Sequence, residues 1–441
     1  MAHQVVLELA DTRQLKQVKT VLEAAGLFDR AGGIVRSTGA TGDPVFRIHT
    51  TKIVDATATT GPASASVTTG LAPVDALVTV TLQPVAVAAD AADGVENTLQ
   101  RAVRTVAVSL GLSDLTSPRR YSTYGNLLLV PPGSFADGAW AALDAATKAQ
   151  ALAAVAAAVG VTHIAANAPI VESDNVMRKP TGLVGLLGHF GPDELVLPPQ
   201  VPVDGDFAAE FWAETRQNDV YQTWAPRYTM FSRGNVKEKA RVLRLDDIAG
   251  RAVVDLYAGI GYFTLSYLRA GARAVFCWEI NPWSVEGLRR GCAANGYGCR
   301  LVRPDEPWTF SDAEWAATAV QPMAVVFLED NQRAPARLAA SGSGRLPVRH
   351  INLGLLPSSE DAWPVALTLA RDWSTCGGCV SLHVHANVAQ PALENWMATA
   401  GAALGALEPA LRVQPRHLER IKTFAPGVFH VCGDFDVAGA D

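Results

Sequence analysis

Several features that define common classes of protein are missing from this sequence of 441 residues. Cysteine is scarce: there are six cysteines and none precedes Cys277, which argues against the disulfide framework of a small secreted domain. No apolar run follows a basic start at the N-terminus, and the most apolar long window, 151–166, consists mostly of alanine. We therefore expect no signal peptide and no membrane-spanning helix, and we predict a soluble, cytoplasmic protein.

An excess of positive charge is also missing. The chain has 37 Lys and Arg residues against 43 Asp and Glu residues, a formal net charge of −6. This charge balance argues against a protein whose whole surface is basic and binds nucleic acid. A local basic patch is compatible with it. Basic residues are concentrated at 227–244 and at 412–422, and the N-terminal part contains Arg101, Arg104, Arg119 and Arg120. These positions could contact phosphate groups.

The pattern of apolar residues changes along the chain. Residues 1–190 alternate strand-like and helix-like segments, which indicates a mixed α/β region, and the Pro- and Gly-rich residues 191–210 read as a linker. Residues 211–441 contain continuous apolar runs, each followed by a helical pattern, at 252–256, 274–278, 324–328, 348–353 and 380–384. Continuous runs are typical of strands buried on both faces, so we predict a mainly parallel sheet covered by helices.

Individual elements are also predicted in the N-terminal region. The spacing of apolar residues predicts strands at 45–50, 77–82 and 126–130, and helices over 11–26, 96–110 and 140–159. The residues from Asp55 to Gly70, which are rich in Ala, Thr, Gly and Ser, are interpreted as a solvated loop. No internal repeat is visible.

A glycine-containing loop follows the first buried run of the second half. The run ends at Asp255, and Gly259 and Gly261 permit a tight turn and the close approach of a ligand. The next run ends at Glu279, where an acid can accept hydrogen bonds from both hydroxyls of a ribose. A dinucleotide-binding loop has a third glycine where this chain has Thr264, and an acid before the glycines suits the positive charges of S-adenosylmethionine. The loop favours S-adenosylmethionine over NAD; a glycine turn without a ligand is the remaining alternative.

Polar residues end a third buried run. Asp330 and Asn331 could pair with the edge of an adenine, because an amide and a carboxylate match its amino donor and ring acceptors. The alternative interpretation is a turn built from turn-forming residues.

Several longer motifs carry a resemblance to a known family. They are 222–239, the loop after Asp255, 278–288, 350–360 and 422–430, with weaker support from 124–135. Together they resemble the wybutosine-synthesis aminocarboxypropyltransferases, which are close to the tRNA guanine-37 N1-methyltransferases. The resemblance covers about 222–436.

The resemblance implies a class I methyltransferase-like fold and a reaction on RNA. The expected enzyme transfers the 3-amino-3-carboxypropyl group of S-adenosylmethionine, its co-substrate, to a tricyclic guanosine at position 37 of phenylalanine tRNA and releases methylthioadenosine. By motif position, the residues expected to contact S-adenosylmethionine are Ser232, Lys239, Glu279, Asp330 and Asn331. Two alternatives are guanine-37 N1-methylation and a non-catalytic module that binds S-adenosylmethionine and RNA. The long acceptor loop that begins at Asn352 and the segment 231–235 favour the transferase.

The predicted chemistry depends mainly on the orientation of the methionine arm of the co-substrate. We expect Ser232, Arg233 and Lys239 to hold that arm, with a cation on its carboxylate; a solvated helix face is the alternative for the two cations. No general base stands out, and the candidates around the acceptor loop are His350, Asn352 and Glu360.

Metal-ligand residue types also occur near the C-terminus, where Cys376 and Cys379 precede His383 and His385. The two cysteines are separated by glycines that a turn requires, and no further partners with suitable spacing are evident, so we expect no metal. The sequence does not predict an oligomeric state.

Overall fold

The computed structural model describes most, but not all, of the chain. The described residues are 2–9, 14, 18, 21–22, 34–38, 44–55, 79–84, 96–112, 114–167, 177, 180, 182–197, 200–342, 346–373 and 378–439. The chain divides into two compact units, Met1–Glu96 and Asn97–Asp441. The linker predicted at 191–210 lies inside the second unit, so the predicted boundary does not coincide with this division. The helix predicted over 11–26 and the loop predicted at 55–70 fall largely outside the described residues.

The first unit contains an antiparallel sheet with the order β2-β3-β1-β4. Its strands are β1 (Ala2–Leu9), β2 (Ile34–Thr38), β3 (Pro44–Asp55) and β4 (Thr79–Pro84). Leu7, Leu9 and Ile48 are fully buried. The strand predicted at 45–50 is confirmed, and the strand predicted at 77–82 occurs two residues further along the chain.

The second unit begins with a small four-stranded sheet covered by helices. Its elements are α1 (Thr98–Ser109), β5 (Ser122–Tyr124), β6 (Leu127–Val130), α2 (Ala139–Ala142), α3 (Ala145–Val159), β7 (His163–Ala166) and β8 (Val184–Leu187). The helix predicted over 140–159 is two helices, because the Asp144 carboxylate accepts hydrogen bonds from the N–H groups of Ala146 and Thr147 and starts α3 there.

A large sheet with helices on both faces makes up the rest of the second unit. Before it come α4 (Asp204–Ala209), the hairpin β9 (Ala213–Gln217) and β10 (Val220–Trp224), and α5 (Val236–Val242). The strands are β11 (Ala252–Asp255), β12 (Ala274–Trp278), β13 (Gly298–Val302), β14 (Met323–Phe327), β15 (Val348–Leu353), β16 (Val380–Ala389), β17 (Leu411–Ala425) and β18 (Val428–Gly439). The helices between them are α6 (Thr264–Arg269), α7 (Pro282–Ala294), α8 (Asp312–Ala317), α9 (Ala334–Ala339), α10 (Trp363–Trp373) and α11 (Trp396–Leu407).

The strand order of the large sheet is β13-β14-β12-β11-β15-β16-β18-β17. The strands from β13 to β16 are parallel, whereas β18 and β17 are antiparallel to their neighbours. The five buried strands predicted from continuous apolar runs are all present. β13 and the β17–β18 hairpin were not predicted, because polar residues interrupt the apolar pattern of these strands.

Both faces of the central strands are buried, as predicted. Val254 and Phe276 pack in the cluster on one face, and Val253 and Val275 pack in the cluster on the other. In the described part of the chain, no helix is both long and apolar enough to cross a membrane.

Candidate cofactor-binding and active site

A cavity of about 320 Å³ lies at the carboxyl ends of four neighbouring strands of the large sheet. The chain leaves β11 toward β12 on one side and returns on the other side as β15, so the strand order reverses at β11. Ligands bind at such reversal points in open α/β sheets. The cavity is lined by residues that directly follow β11, β12, β14 and β15, among them Gly259, Glu279, Asp330, Asn331 and Gly354.

Glu279 lines this cavity at the end of β12. One oxygen of its carboxylate accepts a hydrogen bond from the Gly259 N–H at 2.8 Å, and the other accepts one from the Asn281 N–H at 2.8 Å. Burial nevertheless raises the pKa of Glu279 to about 7. The remaining lone pairs of the carboxylate can accept two ribose hydroxyls.

The glycine loop forms the adjoining wall. Gly259 and Gly261 have φ angles of +55° and +83°, a region that favours glycine. A Cβ at Gly259 would lie 2.6 Å from the ring of Tyr262, and a Cβ at Gly261 would lie 2.5 Å from Leu288. Gly259 lines the cavity, whereas Gly261 packs against α7 and does not. The backbone conformation and the Tyr262 ring therefore both favour glycine at position 259, where the loop borders the cavity.

Asp330 and Asn331 lie at the far end of the cavity, after β14. Asp330 accepts a hydrogen bond from the Gln332 N–H at 2.8 Å, and Asn331 donates to the Leu256 carbonyl at 2.9 Å. The second bond orients the Asn331 amide and leaves its oxygen for a donor such as the adenine amino group.

The sequence analysis did not identify Trp278 as a site residue. Its indole N–H is buried, has no hydrogen-bond partner and belongs to a residue that lines the cavity. The ring itself is held by stacking on Phe327, with centroids 4.5 Å apart. A buried N–H without a partner is costly, so this group fits a ligand acceptor in the cavity. Its position at the end of β12, next to Glu279, was the available signal.

Asp255 lies behind the cavity and is fully buried. Its carboxylate accepts hydrogen bonds from the Thr264 hydroxyl at 2.7 Å and from the Asn352 amide at 2.9 Å. Burial raises the pKa of Asp255. Neither Asp255 nor Asn352 lines the cavity, so both act here as structural links between the glycine loop and the acceptor loop.

The three residues predicted to hold the methionine arm have different partners in the structure. Lys239 is buried, and its ammonium donates to the side-chain oxygens of Gln217 and Gln222. The Ser232 hydroxyl lies 3.4 Å from the Lys422 ammonium, whereas the guanidinium of Arg233 donates to the Ser122 hydroxyl at 3.2 Å. None of the three residues lines the cavity. However, the Lys239 ammonium lies 5.6 Å from the ring centroid of Tyr262, and Tyr262 is a lining residue.

The general-base candidates lie outside the cavity. His350 is buried, and its ring nitrogens contact His383 at 3.0 Å and the Asp246 carbonyl at 3.1 Å. His383 in turn contacts Asp434 at 2.7 Å. Burial holds the pKa of His350 far below its usual range, and Glu360 is exposed.

The residues considered for a metal form hydrogen bonds instead. His383 and His385 contact His350 and His430, and Cys376 lies outside the described residues. Ligand-type atoms of His385, Glu238 and Cys432 lie within 4.8 Å of one another. The guanidinium of Arg241 donates to Glu238 and Asp434 and lies 3.5 Å from the Cys432 sulfur, so a cation is already present.

Many cations of the two basic segments have acidic partners. Arg227 pairs with Glu210, Lys237 with Glu419, Arg241 with Glu238 and Asp434, and Arg416 with Asp436. A separate groove of about 520 Å³ is lined by Arg119, Arg120 and Arg233 among other residues.

The fold and the cavity define a class I methyltransferase-like protein, as predicted. The chain resembles the crystal structure of Pyrococcus horikoshii TYW2 in complex with MeSAdo, with a TM-score of 0.50 and 18% identity over 77% of this chain and 100% of that chain. The TRM5/TYW2 methyltransferase domain matches residues 221–302.

Sequence relatives then identify the family. tRNA wybutosine-synthesizing protein 2 of Schizosaccharomyces pombe is 40% identical over 324 residues, which are 72% of this chain and 72% of that protein. The protein of the same name from Saccharomyces cerevisiae is 40% identical over 63% of this chain and 60% of its own length. The chain belongs to the tRNA wybutosine-synthesizing protein 2 family, and the resemblance noted from the motifs is confirmed.

Proposed function

We propose that this chain transfers the 3-amino-3-carboxypropyl group of S-adenosylmethionine to the tricyclic guanosine 37 precursor of wybutosine in phenylalanine tRNA, and releases methylthioadenosine. Membership of the wybutosine-synthesizing family carries the proposal. The cavity at the carboxyl edge of the sheet supports it with a donor and acceptor set that suits an adenosine.

The residues around the cavity have separate roles in this proposal. Glu279 accepts the ribose hydroxyls, Asp330 and Asn331 recognise the adenine edge, and the Trp278 N–H donates to an acceptor of the ligand. Gly259 allows the ligand to approach the backbone. These contacts fix the adenosine, so the direction of the methionine arm decides which carbon next to the sulfur faces the acceptor base.

Bound S-adenosylmethionine supplies a sulfonium. The bond between its sulfur and the γ-carbon of the methionine arm breaks as the acceptor base forms a bond to that carbon, and the base loses a proton. The protein contributes mainly orientation, which is worth up to about 7–11 kcal/mol in ideal cases. Gly354 and Leu355 of the acceptor loop line the cavity and are placed to contact the base. Space for a side chain at Gly354 is small, because a Cβ would lie 3.1 Å from the Asn352 amide nitrogen and 3.3 Å from the ring of Phe263.

The tRNA body is proposed to contact the N-terminal region defined by the sequence, 1–190. In its described part, Arg119 and Arg120 are exposed and line the same groove as Arg233. Such arginines suit phosphate groups, and the affinity they provide falls with salt. The cytoplasmic location is likewise a prediction from the sequence.

One product assay tests the proposal and separates its alternatives. The protein is incubated with S-adenosylmethionine and, in parallel reactions, with phenylalanine tRNA that carries the tricyclic precursor or an unmodified guanosine 37, and the nucleoside products are separated by chromatography. Methylthioadenosine is the expected product. S-adenosylhomocysteine would indicate guanine-37 N1-methylation, and neither product would indicate a module that only binds. Glu279→Gln serves as the matched variant, with product formation expected to fall.

A further inference from the structure

The ammonium groups of two lysines, Lys239 and Lys422, both lie against the loop segment 231–234. Lys239 is 2% exposed, and its charge is solvated by the oxygens of Gln217 and Gln222 and by the ring of Phe231, whose centroid lies 4.5 Å away. Lys422, on β17, lies 3.4 Å from the Ser232 hydroxyl. Across the described ranges, neither lysine forms an ion pair with a carboxylate, although buried charges are normally paired.

The acids nearest in sequence are already bound by other cations. Glu238, which precedes Lys239, accepts from Arg241 at 2.6 Å. Glu419, three residues before Lys422, pairs with Lys237 at 2.5 Å. Burial and the proximity of Lys422 lower the pKa of Lys239 to about 7, and burial also lowers the pKa of Lys422. A ligand anion close to the ammonium groups of Lys239 and Lys422 would compensate for the cost of burying their charges and would reduce their mutual repulsion.

The loop that follows Phe231 leaves room for this arrangement. A Cβ added at Gly234 would lie 2.7 Å from Cδ and 2.8 Å from Nζ of Lys422. Gly234 therefore permits the Lys422 side chain to lie across the loop next to Ser232. Its φ angle is outside the left-handed region, so the space rather than the backbone conformation requires glycine here.

We propose that Lys422 forms, together with Lys239 and the Ser232 hydroxyl, the binding site for the carboxylate of the methionine arm. The proposal deepens the proposed function and rests on S-adenosylmethionine as the co-substrate. The anion is a carboxylate rather than an RNA phosphate, because Lys239 is buried beneath Phe231 and Tyr262. Tyr262 also lines the cavity, and Lys239 lies 5.6 Å from its ring centroid, so an arm that extends from the ribose past Tyr262 leads toward Lys239.

Calorimetric binding of three ligands tests the site in the absence of tRNA. S-adenosylmethionine has the carboxylate, decarboxylated S-adenosylmethionine lacks only that group, and methylthioadenosine lacks the whole arm. Lys422→Met should weaken S-adenosylmethionine binding about 10- to 100-fold, the range expected for a lost charge-assisted hydrogen bond. Binding of the other two ligands should change by less than about twofold, and Lys422→Arg should restore most of the affinity.

Two further variants control the measurement. Gly234→Ala displaces Lys422 without removing its charge and should weaken S-adenosylmethionine binding alone, with no further loss in the Lys422→Met background. Arg269→Met removes an exposed positive charge at the end of α6 and should leave all three affinities unchanged.

Three outcomes would overturn the Lys422 site. They are an unchanged S-adenosylmethionine affinity in Lys422→Met, an equal loss for all three ligands, and a loss of tRNA affinity, measured in a separate titration, without a loss of S-adenosylmethionine affinity. The last outcome would indicate a phosphate contact. Failure of the proposed function is distinguishable, since it appears in the wild-type protein as a lack of S-adenosylmethionine binding or of methylthioadenosine release with tRNA.

Discussion

The side-chain amide of Asn352 donates a hydrogen bond to the carboxylate of Asp255 at 2.9 Å. The two residues are register partners at the ends of the parallel strands β11 and β15, where the strand order reverses. The glycine loop follows Asp255 and the acceptor loop follows Asn352, so this buried bond holds the two loops in a fixed relation. In the structure this pair lies outside the lining of the cavity and connects the two loops.

Asp255→Asn should therefore destabilise the fold. The carboxylate accepts from Thr264, Asn352 and two backbone N–H groups, and an amide has a single oxygen for these donors. We expect the free energy of unfolding to fall by about 1–3 kcal/mol, measured by urea denaturation. Glu360→Gln, a change at an exposed acid, is the control. Equal urea midpoints for Asp255→Asn and the wild type would contradict this role.

Glu279 should make methylthioadenosine binding depend on pH. Its pKa is raised from the ordinary 4.5 to about 7, so at pH 6 the carboxyl is mostly protonated and at pH 8 it is ionised and accepts both ribose hydroxyls. Affinity should rise severalfold from pH 6 to pH 8. Glu279→Gln should bind about 10-fold more weakly at pH 8 and show no such rise. Methylthioadenosine has no carboxylate, so the two lysines do not affect this titration; a flat wild-type profile would refute the assignment.

Trp278→Phe separates stability from binding. Phenylalanine keeps the stacking on Phe327 and removes an indole N–H that has no partner in the protein. The free energy of unfolding should stay the same or rise by about 1 kcal/mol, while the affinity for methylthioadenosine should fall about 3- to 10-fold. Thermal denaturation and calorimetry measure the two effects. Unchanged affinity would show that the N–H does not contact the ligand.

Lys239 should make stability depend on pH in the alkaline range. Its folded pKa of about 7 lies below the ordinary 10.5, so between these values the unfolded chain binds more protons and stability rises with pH. Compared with Lys239→Met, the wild type should gain about 3 kcal/mol of unfolding free energy between pH 7 and pH 9.5. Urea denaturation at several pH values measures the difference, and parallel curves would exclude a depressed pKa.

His350→Gln tests whether His350 acts as the general base. The ring lies outside the cavity and bonds to His383 and Asp246, so we expect the pH profile of methylthioadenosine release to stay unchanged. The free energy of unfolding should fall by about 1–2 kcal/mol, because His383 loses a partner. If the acidic limb of the rate profile moved or disappeared, His350 would return as a candidate base.

The parallel core and part of the site follow from local patterns in the sequence. Runs such as 274–278 are apolar at every position, and Gly259, Glu279 and Asp330 stand directly after such runs, where a parallel sheet brings strand ends together. Positions defined by their place along one strand or turn can be inferred in this way. The β17–β18 hairpin was missed because polar residues occupy eight of the fifteen positions of β17.

The sequence by itself determined the order of strands and helices in the second half, the glycine loop and the family. Only the tertiary structure decided which polar groups face the cavity and which lie behind it. Asp255, Asn352 and His350 have types that suit catalysis, yet their neighbours across the sheet use their hydrogen bonds. Lys239 and Lys422 are 183 residues apart in number and meet only because β17 folds back beside α5. Contacts between distant segments depend on packing, which no local pattern records.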